Sequence, residues 1–164
     1  PYIFSSYIML AVGNAAGDIV IEVRRQFKSI KGIMEGKAQP EYEKCIKIAT
    51  KSALKEMVVP SLLVIGTPIV VGLTLGAEAL GGALGGTLVS GILLGIQQSN
   101  SGGAWDNAKK YVEKGNLGGK GSATHHATVV GDTVGDPYKD SSGPALNILI
   151  KLTILVATVF VVFF

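Results

Sequence analysis

Charge is scarce in this chain. Only 16% of its 164 residues are Asp, Glu, Lys or Arg, where a soluble domain carries about 25%, and that deficit counts against an ordinary water-soluble enzyme. A single cysteine, Cys45, excludes an intramolecular disulfide framework and any cysteine-rich zinc module. The net charge of +3 is too small to argue for nucleic acid. No P-loop, GxSxG or HExxH pattern occurs, and GGALGG (81–86) lacks the preceding strand that a dinucleotide fold requires. The chain opens on Pro1 and lacks the basic n-region of a signal peptide. Its length would suit one domain, yet the reading that fits best is a piece of a longer protein.

What is present is apolar length. Hydrophobic residues make up 48% of the chain and mean hydropathy is +0.42. Met57 to Ala77 is a run of 21 residues without a charge, and after Glu78 a second runs from Ala79 to Trp105. A helix crossing the ~30 Å hydrocarbon core needs about 20 mostly apolar residues, so each can span. The expected spans are 1–22 (truncated), 57–77, 79–101 continuing as a cytoplasmic helix to about 114, and 141–164 preceded by an acidic helix from about 127. The expected fold class is all-α: a polytopic transmembrane helix bundle, of which this chain is one membrane-domain fragment holding the end of one helix and three further spans.

From Val23 to Glu56 lie nine Lys and Arg against four Glu, which the positive-inside rule places in the cytoplasm. The second polar segment, from about Gly102 to Gly131, then faces the same side. Part of the basic segment, Tyr42 to Ala53, is spaced for an amphipathic helix starting near Pro40. Glu78 is expected to cap the outer turn. Glycines at four-residue steps (Gly81 with Gly85, Gly82 with Gly86, Gly91 with Gly95) would let helix backbones pack closely in lipid.

Acids and lysines cluster in two places. GGAWDNAKKYVEKG carries Asp106, Lys109 and Lys110; GDTVGDPYKDSSGP places Asp132, Asp136 and Asp140 at steps of four, with Lys139 beside them. On an α-helix this last group falls within an arc of roughly 100°, so all could face one site. Stacked like charges repel, and bound divalent cations would remove the conflict. Carboxylates without His or Cys suit a hard ion such as Mg²⁺, which commonly bridges protein carboxylates to phosphate oxygens. A lysine among them adds a point charge for phosphate. The bland alternative is a solvated acidic loop. Position favours the first: the acidic helix continues into a span through Gly143 and Pro144, where a kink is expected. Lys151 lies about 16 Å beyond Asp140 along a helix, inside the apolar run. A lysine there marks an ion path facing the bundle interior, with snorkelling to the interface as the alternative. His125 and His126, being adjacent, read as loop residues. Asp18 and Glu22 could pair with Arg25.

The stretches GGAWDNAKKYVE, KGSATHHATVVGDTVGDPYKD and SSGPALNILIKL, with EVRRQF and KGIMEGKA before them, resemble the carboxyl-terminal part of the membrane-bound, ion-translocating (H⁺) pyrophosphatases, in order and with similar spacing. The resemblance implies an all-helical homodimeric pump that hydrolyses magnesium pyrophosphate on the cytoplasmic side and moves H⁺ or Na⁺ across the bilayer. It implies metal-holding roles for Asp106, Asp132 and Asp136, phosphate contacts for Lys139 and Lys109, and ion-translocation or coupling roles for Asp140 and Lys151. It implies Mg²⁺ as cofactor, Ca²⁺ as a candidate inhibitor at the same site and K⁺ as a candidate cofactor. The setting would be a prokaryotic cell membrane, or a vacuolar or acidocalcisome-type membrane in a eukaryote; nucleic acid is not an expected partner. Departures from the family pattern are modest: Asn14 stands where a lysine is common, Ala123 and His126 replace an acid and a lysine, and Tyr138 and Ser141 replace Phe or Leu and Thr.

The implied chemistry is metal-assisted phosphoanhydride hydrolysis, with the water-activating carboxylates expected outside this chain, so the isolated fragment is expected to be inactive. Two readings from other classes stand beside it. One is a non-hydrolytic ion or phosphate transporter whose acidic helix binds cations. The other is a structural membrane subunit.

Overall fold

A computed structural model describes residues 1–163, and within them every regular element is helical. Helix α1 spans Tyr2–Ser29, α2 Tyr42–Glu56, α3 Val58–Glu113, α4 Ala123–Pro137 and α5 Gly143–Phe160. A five-residue π turn, Tyr138–Ser142, joins α4 to α5. Three stretches are long and apolar enough to cross a membrane: Tyr2–Ser29, Tyr42–Glu113 and Ala123–Phe163. The chain is therefore an all-α, multi-pass membrane protein. The expected end of the last span at Phe164 lies outside the described residues.

The middle stretch folds back on itself. Gly76, at φ 83° and ψ 175°, breaks α3, and Thr67 and Thr87 on either side of it line one cavity with Leu149. Its legs, 58–75 and 77–113, thus run against each other, and the reversal falls at Gly76 rather than at Glu78. That backbone region is essentially reserved for glycine, which explains the displacement by two residues. Glu78 is exposed in the first turn of the returning leg, where a negative charge complements the helix dipole.

α1 continues past residue 22 to Ser29, so at 1.5 Å per residue it is about 42 Å long, enough to cross the hydrocarbon core. Its inner end carries α2. Gln26, buried, accepts from the Glu41 backbone N–H (2.9 Å) and donates to Glu22 Oε1 (3.0 Å). Arg25 bridges Glu22 (2.7 Å) and Glu41 (2.6 Å). Of the two acids expected near Arg25, Glu22 pairs with it. Asp18 instead accepts from Ser52 Oγ at 3.2 Å.

The central packing is between the returning leg of α3 and the rod made by α4, the π turn and α5. The two lie antiparallel: Gly91 meets Ile150, Gly95 meets Leu146, Gly102 meets Gly135 and Lys139, and Trp105 covers Gly131. Of the glycine pairs expected to pack, only Gly91 and Gly95 do so among the described residues. Gly81, Gly82, Gly85 and Gly86 face open space. An apolar cluster of Phe4, Val64, Leu146 and Leu149 ties α1 and the outgoing leg of α3 to this pair.

Gly76→Ala should lower stability by about 1–3 kcal/mol, since the new side chain meets no neighbour and the cost is backbone strain alone. Reversible unfolding of the detergent-solubilised full-length protein would measure it. An unchanged transition would mean that the reversal lies elsewhere.

Candidate functional site

Beyond residue 101 the returning leg of α3 carries Asp106, Lys109 and Lys110, and α4 lies directly against it. The approach is closer than side chains allow. A Cβ built at Gly102 would sit 2.4 Å from the Gly135 carbonyl oxygen and 2.9 Å from Lys139 Cβ, so Gly102 admits no side chain, and a Cβ at Gly135 would press on Gly102 at 3.1 Å. Trp105 then lies over Gly131 and Gly135 and stacks on Tyr138, with ring centroids 6.1 Å apart.

This contact lets the charges of the two helices interleave. Lys109 donates to Asp132 Oδ2. Lys139 bridges Asp106 Oδ2 at 2.7 Å and Asp136 Oδ1 at 2.8 Å, and Lys110 also reaches Asp106 Oδ2 at 2.8 Å. The repulsion anticipated within the aspartate row is relieved at Asp132 by Lys109 and at Asp136 by Lys139. The Lys110 and Lys139 hydrogen bonds hold the Asp106 carboxyl down at about 2, from a usual 3.8. Lys109 is raised by its bond to Asp132, and Lys139 by its bonds to Asp106 and Asp136.

Of the seven candidate residues, the structure brings five together: Asp106, Lys109, Asp132, Asp136 and Lys139. Asp140 is exposed and has no ion-pair partner among the described residues, although the aspartate row was expected to share one face. Steps of four advance about 40° around an α-helix, so the row drifts from buried Asp132 to half-exposed Asp136. The π turn then changes the advance at the last step. Two prolines account for that turn. Pro137 supplies no N–H, and in an α-helix the Pro144 ring would collide with the Asp140 carbonyl. The widened turn, closed by Gly143 N–H to the Tyr138 carbonyl, avoids the collision and stands just before the expected kink. Lys151 lies on the exposed side of α5, likewise without an ion pair among the described residues.

Three features lay outside the sequence reading. α4 starts at Ala123, earlier than 127, because Ser122 Oγ caps it by accepting from the His125 N–H at 3.1 Å. His125 and His126 are accordingly helical residues and not loop residues, His125 buried and His126 exposed. His125 contacts Glu113 Oε1 at 3.2 Å through Nε2 and accepts from the Gly121 N–H through Nδ1. The third is a neutral cluster, Ser5, Gln98 and Ser142, where α1, α3 and the π turn meet. The cap was legible as a serine before the helical run; the cluster had no sequence signal.

The site's fit to a metal can be tested on its own atoms. The acidic donors facing one another are carboxylates with no sulfur or imidazole among them, which suits a hard cation. Asp132 Oδ1 is buried and has no hydrogen-bond partner, an oxygen with a free lone pair directed into the structure. In kind the residues fit Mg²⁺. Among the described residues no three acids, histidines or cysteines converge as a ligand set, so this chain supplies donors and not a complete cage.

A rigid pair of membrane helices ending in an interleaved carboxylate–lysine cluster defines a polytopic membrane protein with a polar site at the mouth of its bundle. The profile of the Inorganic H⁺ pyrophosphatase family matches residues 1–160, and the chain belongs to that family. It is 61% identical over 160 residues to a putative K⁺-stimulated pyrophosphate-energized sodium pump of Clostridium tetani, covering 98% of this chain and 24% of that protein. It is 56% identical over 163 residues to a K⁺-insensitive pyrophosphate-energized proton pump of Caldanaerobacter subterraneus, covering 99% and 23%. To a K⁺-stimulated pyrophosphate-energized sodium pump of Thermotoga maritima it is 54% identical over 165 residues, again covering 99% and 23%. The chain spans about a quarter of the length of these curated relatives.

Two outcomes test the site geometry. Gly102→Ala should destabilise the protein by roughly 1–3 kcal/mol, as overpacking does, and should weaken the Asp106–Lys139 contact; wild-type stability would contradict the close crossing. Asp106 should remain ionised until the pH falls to about 2. Its folded value lies below the ordinary one, so its contribution to stability is present above pH 3.8 and lost as pH falls through 2. Carboxyl ¹³C titration of the metal-free protein would follow it, and a midpoint at 3.8 or above would contradict the lysine pairing.

Proposed function

We propose that the whole protein, of which this chain forms a part, couples hydrolysis of magnesium pyrophosphate on the cytoplasmic side to movement of H⁺ or Na⁺ across the membrane. The observation that carries this reading is the meeting of Asp106, Asp132, Asp136, Lys109 and Lys139 at the crossing of two rods, each of which runs on into a membrane span. The basic segment 23–56 supports a cytoplasmic placement of that face. A homodimer in the bilayer is the assembly the reading implies.

Asp106, Asp132 and Asp136 would hold Mg²⁺, which when bound neutralises phosphate charge and polarises the phosphoryl oxygens. The chain's own residues supply positioning and charge. Lys139 and Lys109, each already engaged by aspartate, stand where a pyrophosphate oxygen would exchange with a carboxylate partner. Both are raised above the usual lysine value, so each stays cationic when pyrophosphate arrives. Trp105 over Gly131 and Gly135 shields one side of the crossing from water. Asp140 and Lys151, on the outward side of the same rod, are assigned to coupling and ion passage. They would meet helices supplied by the rest of the protein. Relatives named as sodium pumps and as proton pumps match this chain to a similar degree. That supports placing the determinants of ion choice and of K⁺ dependence elsewhere in the polypeptide.

A non-hydrolytic transporter is the reading to separate. Full-length protein in sealed vesicles should hydrolyse pyrophosphate only with Mg²⁺ and should move H⁺ or Na⁺ as it does so. Asp136→Ala should abolish hydrolysis, and Lys151→Ala should impair pumping more than Mg²⁺ binding. Ion movement without pyrophosphate cleavage, or wild-type turnover and transport in both variants, would overturn the proposal.

A further inference from the structure

Ser5, Gln98 and Ser142 are 5%, 4% and 0% exposed. They come from α1, the returning leg of α3 and the last residue of the π turn. Gln98 Nε2 donates to Ser5 Oγ at 2.6 Å, and Ser5 Oγ lies 2.7 Å from Ser142 Oγ. Ser5 Oγ thus joins the amide to Ser142, and the three groups form one connected hydrogen-bond chain. Polar groups buried at this depth are costly unless paired, and here the pairing spans three elements far apart in sequence. Gln98 Oε1 has no hydrogen-bond partner among the described residues.

The chain ends on the π turn three residues after Lys139. In the π turn the Gly143 N–H bonds the Tyr138 carbonyl, and this arrangement carries Ser142 to Ser5. Gly143 also sits so close to α3 that a Cβ there would lie 2.8 Å from Ser99 Oγ, so the turn has little room to drift. Below the turn the hydroxyl pair faces the membrane packing; above it Lys139 faces Asp106 and Asp136.

We propose that the Gln98–Ser5–Ser142 hydrogen-bond chain is a positioning device that ties the π turn to α1 and α3 and thereby sets the place of Lys139 in the substrate site, an inference that rests on the reading of that site as the pyrophosphate site. The residues act through Lys139 and touch no substrate themselves. Losing one such bond is worth about a two- to tenfold effect, and it should appear in substrate affinity.

The test is steady-state pyrophosphate hydrolysis by the full-length protein as a function of magnesium pyrophosphate concentration. Ser5→Ala and Ser142→Ala should each raise KM by about two- to tenfold with kcat little changed. The double variant should do no more than either alone, because both break one chain. Ser5→Thr, which keeps the hydroxyl, should restore KM, and Ser6→Ala on the exposed side of α1 should leave it unmoved. If Ser142→Ala does not assemble, Ser5→Ala paired with Gln98→Ala makes the same non-additivity test. An unchanged KM in Ser5→Ala, effects that multiply in the double variant, or a fall in kcat at constant KM would each overturn the positioning role. Absence of pyrophosphate hydrolysis in the unaltered protein would instead remove the reading of the site on which it rests.

Discussion

The close crossing of α3 and α4 at Gly102 and Gly135 is the constraint on which the rest depends. With no side chain on either residue, backbone meets backbone, and the polar flanks of the two helices are brought within ion-pair reach. Lys139 can then touch Asp106 on the opposite helix while keeping Asp136 on its own. A side chain at Gly102 would press the elements apart and loosen these ion pairs. Glycine in a helix ordinarily weakens it by about 1 kcal/mol relative to alanine. Here the loss is offset by contacts that no alanine would permit.

The same crossing sets the electrical balance of the site. Asp132 is buried, and a buried carboxylate is tolerated only if its charge is met. Lys109 meets one oxygen and leaves the other bare. Asp106 is held by two lysines and Asp136 by one. The arrangement is close to neutral and yet leaves one buried oxygen bare; on the proposed function, the acids would hold Mg²⁺ and the lysines would be released to phosphate oxygens. On the proposed reading the folded cluster holds the substrate's charge pattern in reverse.

Much of this was legible in the sequence, and the reasons differ from element to element. Uncharged runs of membrane-spanning length revealed the helices, because lipid leaves the backbone no other solution. Two carboxylate–lysine groups against that apolar background marked the site. The reversal at Gly76 was misplaced by two residues because charge, here Glu78, was used as the signal while backbone strain decides the position. The π turn could not be read from a fixed 100° step, although Pro137 and Pro144 were its cause. The first helix seemed short because its polar continuation, from Val23 to Ser29, resembled a loop; it remains helical because Glu22, Arg25 and Gln26 find partners on α2 and its cap Glu41. The Ser5–Gln98–Ser142 cluster was invisible because its members are ordinary residues until three distant segments fold together.

Continuity of the rod from α4 to α5 gives the cluster mechanical reach. A loop between the two would absorb any change at Lys139 within its own soft dihedrals. A π turn preserves the hydrogen-bonded cylinder, so a displacement of α4 at the cluster is passed on to α5 and to Lys151, about 16 Å beyond Asp140 along the helix. Pro144 opposes the α register at that turn, and the buried hydroxyls of Ser5 and Ser142 stand at the same element.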